Sequence, residues 1–302
     1  MKDITDKVDS LRIAVAEAYI EVGKELLASV SGGRKTDKGD ALEASRVAAI
    51  MAAKRTSESL PFCHPIPVTY ADVAFDVREA GIHLEVTVKT IASTGVEMEA
   101  LHAASTCALC LYDMLKPHAS SDTGIIEIEH IRLVKKSGGK SDHKPEFSRP
   151  QRVGVLVVSD AVAGGHKKDT AGQSVLAALK KYDGLELVDY ELLATDYDAV
   201  RQTIGAWILA ETDLIITVGG TGITAEDRIV ETLEPLIDRP LPGIMETARH
   251  HGQRRTPKAF LSRGIAGMAG DSLIVTFPGS TGGAAETCDA LFPGILHLLE
   301  PC

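Results

Sequence analysis

Apolar positions divide the chain into two stretches with different rhythms. In residues 9–30, Leu11, Ala14, Val15, Ala18, Tyr19, Val22 and Leu26 recur at three- and four-residue steps, which predicts a helix. A second helix is predicted over 41–56 and is broken by the proline-rich segment 61–67. Strands are predicted over 68–77 and 82–91, the second alternating cleanly as IHLEVTVKT. A long helix over 96–116 ends before Pro117, and a strand, IIEIEHIRLV, covers 125–134. Strands able to pair antiparallel, mixed with helices, predict an α+β fold of ferredoxin-like form, with helices on one face of the sheet.

Further along, strands and helices alternate. VGVLVV at 153–158 reads as a buried strand, and a helix is predicted from about Thr170 with Asp169 placed to cap it. Strand 186–193, helix 197–210, strand 213–218, more helix, strand 272–277 and a terminal helix follow. That order predicts a doubly wound α/β sheet, largely parallel, with ligands beyond the carboxyl ends of its strands. Between the stretches, SGGKSDHKPEFSRPQ at 137–151 lacks apolar periodicity and reads as a linker. The expected organisation is a domain over 1–144, a linker over 145–151 and a domain over 152–302.

Charge narrows the partners. A net charge of −10 gives no global basic field, and 4% aromatic residues leave few platforms for stacking bases, so no nucleic-acid partner is expected. The N-terminus, MKDITDKVDS, is charged throughout, and no apolar run approaches the roughly 20 residues of a membrane span. A cytoplasmic protein without membrane contact is expected. Cysteine usage, at Cys63, Cys107, Cys110, Cys288 and Cys302, is odd and sparse, which fits a reducing compartment. Cys107 and Cys110 sit in a helical pattern and read as core residues.

Three segments of the first half are too polar for their setting: Lys38-Gly39-Asp40, LPFCHP at 60–65, and the helix over 94–116. On that helix Glu99, His102, Asp113 and Lys116 fall within an arc of roughly 100°. A solvated face would show the same stripe. In the second half VVSDAVAGGHKKDTAG (157–172), TVGGTGITAED (217–227) and TFPGSTGGAAE (276–286) each follow an apolar strand. One glycine-rich turn is ordinary. Three at strand ends of a doubly wound sheet point to an anion site built from backbone N–H groups. None is a P-loop or a dinucleotide fingerprint. His250, His251, Arg254 and Arg255 read as a solvated helix end.

K-G-D at 38–40, AAKRT at 52–56, LPFCHP at 60–65, TGVEMEAL at 94–101, YDMLK at 112–116 and KKSGGKS at 135–141 occur in order. Over residues 1–141 the chain resembles MoaC, the cyclic pyranopterin monophosphate synthase family. That family converts a GTP-derived cyclic intermediate to cyclic pyranopterin monophosphate and releases pyrophosphate. The resemblance implies Asp113 and Lys116 as the catalytic pair. It implies Arg12, Lys38, Lys54, Cys63, His64, Glu97, Met98, Glu99 and Lys136 as substrate-binding positions. His64 either contacts substrate or shapes its loop. The proton transfers of such a reaction suit a lysine whose pKa is lowered by neighbouring cations and desolvation, and Lys116 is assigned that role. The resemblance also implies a homo-oligomer formed through the N-terminal half.

The order S-D, D-T-A-G, G-G-T-G, P-G-S and G-G-A-A-E over about 152–299 resembles the MoaB/MogA family, many of whose members adenylylate molybdopterin with ATP and Mg²⁺. The resemblance implies a pterin and nucleotide site at Ser159, Asp160, Asp169, Asp196, Gly219, Gly220, Thr221, Gly222, Asp227, Ser280, Gly282 and Gly283. Asp196 and Asp227 are the expected Mg²⁺ ligands, with ATP as co-substrate. Asp169 serves either as a helix cap or as a ligand contact. One departure stands out. Residues 226–230 read EDRIV where the family has R-D-V-T, so Glu226 sets a negative charge beside Asp227. The reading is a bifunctional enzyme acting on small pterin and nucleotide substrates. The alternatives are the same lyase with a non-catalytic pterin-binding or oligomerising tail, and a pterin- or nucleotide-sensing interaction protein with neither activity.

Overall fold

The structure, a computed structural model, describes residues 1–31, 35–119 and 126–300. Cys302 and the first residue of the predicted 125–134 strand lie outside them. The chain forms two compact units, Met1–Asp142 and His143–Cys302.

The first unit runs β1 (Ser10–Glu21), α1 (Lys24–Ser29), α2 (Ala41–Lys54), α3 (Thr56–Ser59), β2 (Tyr70–Val77), β3 (Gly81–Ala92), α4 (Glu97–Leu115) and β4 (Glu127–Ser137). Its four strands are antiparallel in the order β2-β3-β1-β4. With the helices between them this is a ferredoxin-like fold. α4 packs on β1, β3 and β4, and α2 packs on α4 and β2.

The helix expected over 9–30 is wrong for most of its length. Residues 10–21 are the central strand, paired with β3 on one side and β4 on the other. Ala14, Ala16, Ala18 and Ile20 are fully buried and lie two residues apart. Ile13, Val15 and Tyr19 make the other face partly apolar too, which produced chance helical spacings. Alanine favours helices in isolation, and pairing on both edges overrides that preference. Only Lys24–Ser29 is helical. α2 begins where Asp40 accepts hydrogen bonds from the amides of Leu42 (2.9 Å) and Glu43 (3.1 Å). Cys107 is buried among the core side chains, as expected.

The second unit comprises β5 (Gln151–Val158), α5 (Asp160–Ala163), α6 (Ala171–Leu179), β6 (Leu185–Leu193), α7 (Tyr197–Leu209), β7 (Leu214–Val218), α8 (Ile229–Leu233), β8 (Arg239–Pro240), α9 (Pro242–Gln253), β9 (Ala266–Ala269), β10 (Ser272–Phe277) and α10 (Thr281–Leu291). The sheet order is β6-β5-β7-β10-β9-β8. The first four strands are parallel, and β9 and β8 add an antiparallel edge. Those two strands are too short to show a period. Both sheet faces are covered, as a doubly wound fold requires. Val153, Val155 and Val157 pack with α6, α9 and α10, whereas Leu156 and Val158 pack with α7 and α8.

The His250–Arg255 cluster is less solvated than expected. His251 is buried, and its carbonyl accepts a hydrogen bond from Arg255 at 2.8 Å, closing the end of α9. Among the described residues no helix is long and apolar enough to cross a membrane.

Gly154 on β5 faces the chain's one tryptophan. A Cβ there would lie 2.7 Å from Cε3 of Trp207. Gly154→Ala is predicted to cost about 1–3 kcal/mol by overpacking. Denaturant unfolding followed by Trp207 fluorescence measures this, and an unchanged midpoint would contradict the packing of α7 on β5.

Candidate active sites

In the first unit a carboxylate is shared by two lysines. Lys38 Nζ lies 2.7 Å from Asp113 Oδ2, and Lys116 Nζ lies 2.8 Å from Asp113 Oδ1. Lys38 also donates to the backbone carbonyl of Asp113 at 3.3 Å. Asp113 and Lys116 stand one turn apart at the end of α4, so their pairing follows from helical spacing. Lys38 comes from the turn before α2, where Gly39 adopts a positive φ of 105°. Hydrogen bonds from Lys116 and Lys38 pull the Asp113 carboxyl down to about 2. Asp113 in turn raises Lys116 above the usual lysine range. The expected lowering of Lys116 is therefore overturned: its shift is upward. An opposite charge at 2.8 Å outweighs the small desolvation of a solvent-facing amine.

A cavity of about 210 Å³ gathers Arg12, Glu97 and Lys136, together with Lys7 and Asp142, which the sequence did not single out. Arg12 donates to the carbonyls of Ala92 (3.2 Å) and Gly138 (3.0 Å). Gly138 and Gly139 take φ values of 103° and 91°, which folds the chain over the guanidinium. A Cβ on Gly139 would strike Arg12 Nη1. Lys136 pairs with Glu97 at 3.4 Å.

Other expected positions stand apart from these groups. Glu99 is 3% exposed, and burial pushes its carboxyl above the usual range, with nearby Glu97 adding to the effect. Burial, and the Glu99 charge, raise the Cys63 thiol as well, which sets the 60–65 loop beside α4. His64 uses Nε2 to reach the carbonyl of Lys2 at 2.9 Å. His102 Nδ1 lies 3.2 Å from the Thr56 hydroxyl. Lys54 and Met98 are exposed and line neither the lysine–aspartate group nor the cavity. The stripe on α4 thus runs from a buried carboxyl at Glu99 to solvent-facing charges at Asp113 and Lys116.

In the second unit the three glycine-rich turns meet. The Gly219 amide donates to the Phe277 carbonyl at 2.9 Å. A Cβ on Gly219 would strike the Val158 carbonyl oxygen, and one on Gly279 would sit 3.1 Å from Gly219 Cα. Gly219 and Gly220 have φ values of 111° and 66°, closed to most other residues. Thr221 is buried within the same turn.

The following loop is braced from two sides by residues the sequence did not flag. Arg263 donates to the Gly222 carbonyl at 2.8 Å and to the Asp227 carbonyl, and pairs with Glu231 at 2.5 Å. The Tyr197 hydroxyl donates to the Glu226 carbonyl at 2.5 Å and accepts from the Arg228 amide at 3.0 Å. Within the loop, Asp227 Oδ2 accepts from the Thr224 hydroxyl (2.6 Å) and amide (3.0 Å). These bonds, the hydroxyl's first, hold its carboxyl below the usual range.

The other predicted carboxylates carry structural bonds. Asp196 caps α7 through Oδ1, at 3.1 Å from the amides of Asp198 and Ala199. Asp160 ties Thr195 through its amide (2.7 Å) and hydroxyl (2.8 Å). Asp169 accepts from the Gly172 amide at 2.8 Å and from the Tyr190 hydroxyl, which serves the capping alternative. Burial, then Asp169, pushes the Tyr190 hydroxyl up to about 12. Ser159 precedes α5 without a side-chain cap bond, whereas the Ser280 hydroxyl accepts from the Gly283 amide at 3.2 Å. A Cβ on Gly282 would touch nothing within 4 Å.

Residues 1–139 match the model of the MoaC family, and residues 154–297 match that of a probable molybdopterin binding domain. A molybdenum cofactor biosynthesis bifunctional protein of Chlorobaculum tepidum is 37% identical over 297 residues, covering 98% of this chain and 92% of that protein. A cyclic pyranopterin monophosphate synthase of a Geobacillus species is 47% identical over 149 residues, covering 47% of this chain and 83% of that protein. Among solved structures, MoaB of Thermus thermophilus is 39% identical with a TM-score of 0.46, covering 49% of this chain and 94% of that one.

Glu99 gives a prediction with a definite sign. A carboxyl whose folded pKa is raised stabilises the fold most below its unfolded pKa, and the contribution is lost as pH rises through the folded value. Glu99→Gln removes the buried charge. Its thermal midpoint is predicted to exceed that of the parent at pH 8 by more than at pH 4. Equal differences at the two pH values would contradict the burial argument.

Proposed function

We propose what each half does from the premise that this chain belongs to the family of bifunctional molybdenum cofactor biosynthesis proteins. It is an enzyme with a MoaC half and a molybdopterin-binding half. The N-terminal half converts the GTP-derived cyclic intermediate to cyclic pyranopterin monophosphate with release of pyrophosphate. The observation that carries this reading is the Asp113 carboxylate shared between Lys38 and Lys116. A substrate phosphate arriving there competes with Asp113 for both lysines. Lys116 starts protonated, so its first act is to donate a proton, and it becomes a base afterwards. Lys38, Arg12 and Lys136 hold phosphate oxygens and stabilise the departing pyrophosphate. Lys7, which lines the same cavity as Arg12 and Lys136, joins them.

The C-terminal half adenylylates molybdopterin. A phosphate oxygen of the pterin attacks the α-phosphorus of ATP, and pyrophosphate leaves. The amide of Gly220, at the turn that Gly219 allows to pack closely, receives the nucleotide phosphates, and that of Gly282 at the start of α10 holds the pterin's phosphate. Asp196 keeps Oδ2 clear of the donors that its capping role uses, and the Tyr197 bridge draws this end of α7 to the Asp227 loop. Among the described residues no three acidic, histidine or cysteine side chains form a metal cage. The two carboxylates of Asp196 and Asp227 suit Mg²⁺, which takes one or two carboxylates and keeps its waters and phosphates. Held by Asp196 and Asp227, it would supply neutralisation of triphosphate charge.

A second reading, a pterin-binding tail without catalysis, is favoured by Glu226 and by the internal use of Asp227. Assembly through the N-terminal half is supported by exposed apolar side chains, Val47 and Met51 on α2 and Leu109 and Tyr112 on α4. The working compartment is the cytoplasm.

Separate knockouts test the two readings. Lys116→Ala is predicted to slow formation of cyclic pyranopterin monophosphate by about 10²-fold or more and to leave adenylyl transfer intact. Asp227→Ala is predicted to do the reverse. Full activity of Lys116→Ala would refute the front site. Absence of Mg-ATP-dependent pyrophosphate release with molybdopterin in the parent would favour the binding tail.

A further inference from the structure

A cavity of about 480 Å³ lies between α9 and α10, beside the turn that follows β10. Met245, Ala259 and Pro278 give it apolar walls, and Arg249, Lys258 and Glu286 give it charge. Gly282 exposes bare backbone to it, since a Cβ there would meet open space. Glu286 follows Gly282 by four residues, one helical turn along the same face of α10. The carboxylates discussed above are engaged: Asp160, Asp169, Asp196 and Asp227 each accept from named donors. The carboxylate of Glu286, half-buried in this cavity, has no hydrogen bond or ion pair among the described residues. A carboxylate against apolar walls needs donors when the cavity fills and water leaves.

The geometry points to Glu286 as the residue that reads the ring edge of the pterin. The 2-amino-4-oxopyrimidine ring carries an amino group and a neighbouring ring N–H that donate in parallel, and a carboxylate accepts both. The apolar walls take the ring faces. From Glu286 back to Ser280 is six residues of helix, about 9 Å along the axis. That is the length scale of a fused tricycle laid with its phosphate at the first amides of α10. Adenine has no such pair of donors on one edge, so the cavity rejects the base of ATP and leaves the nucleotide to the Gly219–Asp227 turn. This inference rests on reading the second half as pterin-binding and adds the residue that recognises the ring. Guanine shares the same edge, so the test must separate the two sources.

The probe is 6-hydroxymethylpterin, followed by its own fluorescence as the full chain is titrated in. The parent is expected to bind it saturably, and Glu286→Gln to bind it at least about tenfold more weakly, as for a lost bond to a charged acceptor. Gly282→Leu, a better helix former placed in the open space, is expected to weaken binding as well without lowering the thermal midpoint. Guanosine monophosphate is expected to compete through Glu286, and adenosine monophosphate is not. Unchanged pterin affinity in Glu286→Gln would overturn the inference and leave the pterin reading standing. No binding by the parent would overturn both. Competition by the adenine nucleotide equal to that by the guanine one, or binding of the guanine nucleotide alone, would also overturn it.

Discussion

The front site depends on one carboxylate that holds two ammonium groups at bonding distance. Without Asp113 between them, Lys38 and Lys116 would repel each other. With it, a turn 75 residues away in sequence is fastened to the end of α4. To attract the polyanionic substrate proposed for it, a chain of net charge −10 must concentrate its cations locally, and this arrangement does so. It also sets the order of events. On the proposed mechanism, the amine that handles protons enters the reaction charged, and substrate phosphate releases it from Asp113.

The second half solves the same problem with backbone. Its three turns converge because the strands that precede them are parallel neighbours in the sheet, β5, β7 and β10. Glycine permits the approach at Gly219, and Arg263 and Tyr197 then fix the loop after it from opposite sides. The carboxylates of this unit organise helix starts and loops.

What was legible in the sequence follows from what side-chain pattern can encode. The alternation in residues 82–91 and the apolar run at 153–158 gave their strands directly. β1 was hidden because alanine marks its buried face and valine and isoleucine populate the other. Asp113 and Lys116 were legible as a pair one helical turn apart, but the direction of the Lys116 shift was not, since solvent exposure and partner distance lie outside any periodicity. Arg263 and Tyr197 left no signal because they act on backbone carbonyls and amides contributed by distant residues. Glu286 stood inside a recognised motif, yet its openness is a property of the cavity that surrounds it.

The central claim is that Asp113 keeps Lys116 protonated until substrate displaces it. NMR titration of the Lys116 ammonium group in the ligand-free protein and in Asp113→Asn tests this directly. The account predicts a pKa above the ordinary lysine range in the parent and a clear fall in the variant. A Lys116 that titrates near neutral pH in the parent, or that is unmoved by loss of the carboxylate, would contradict it.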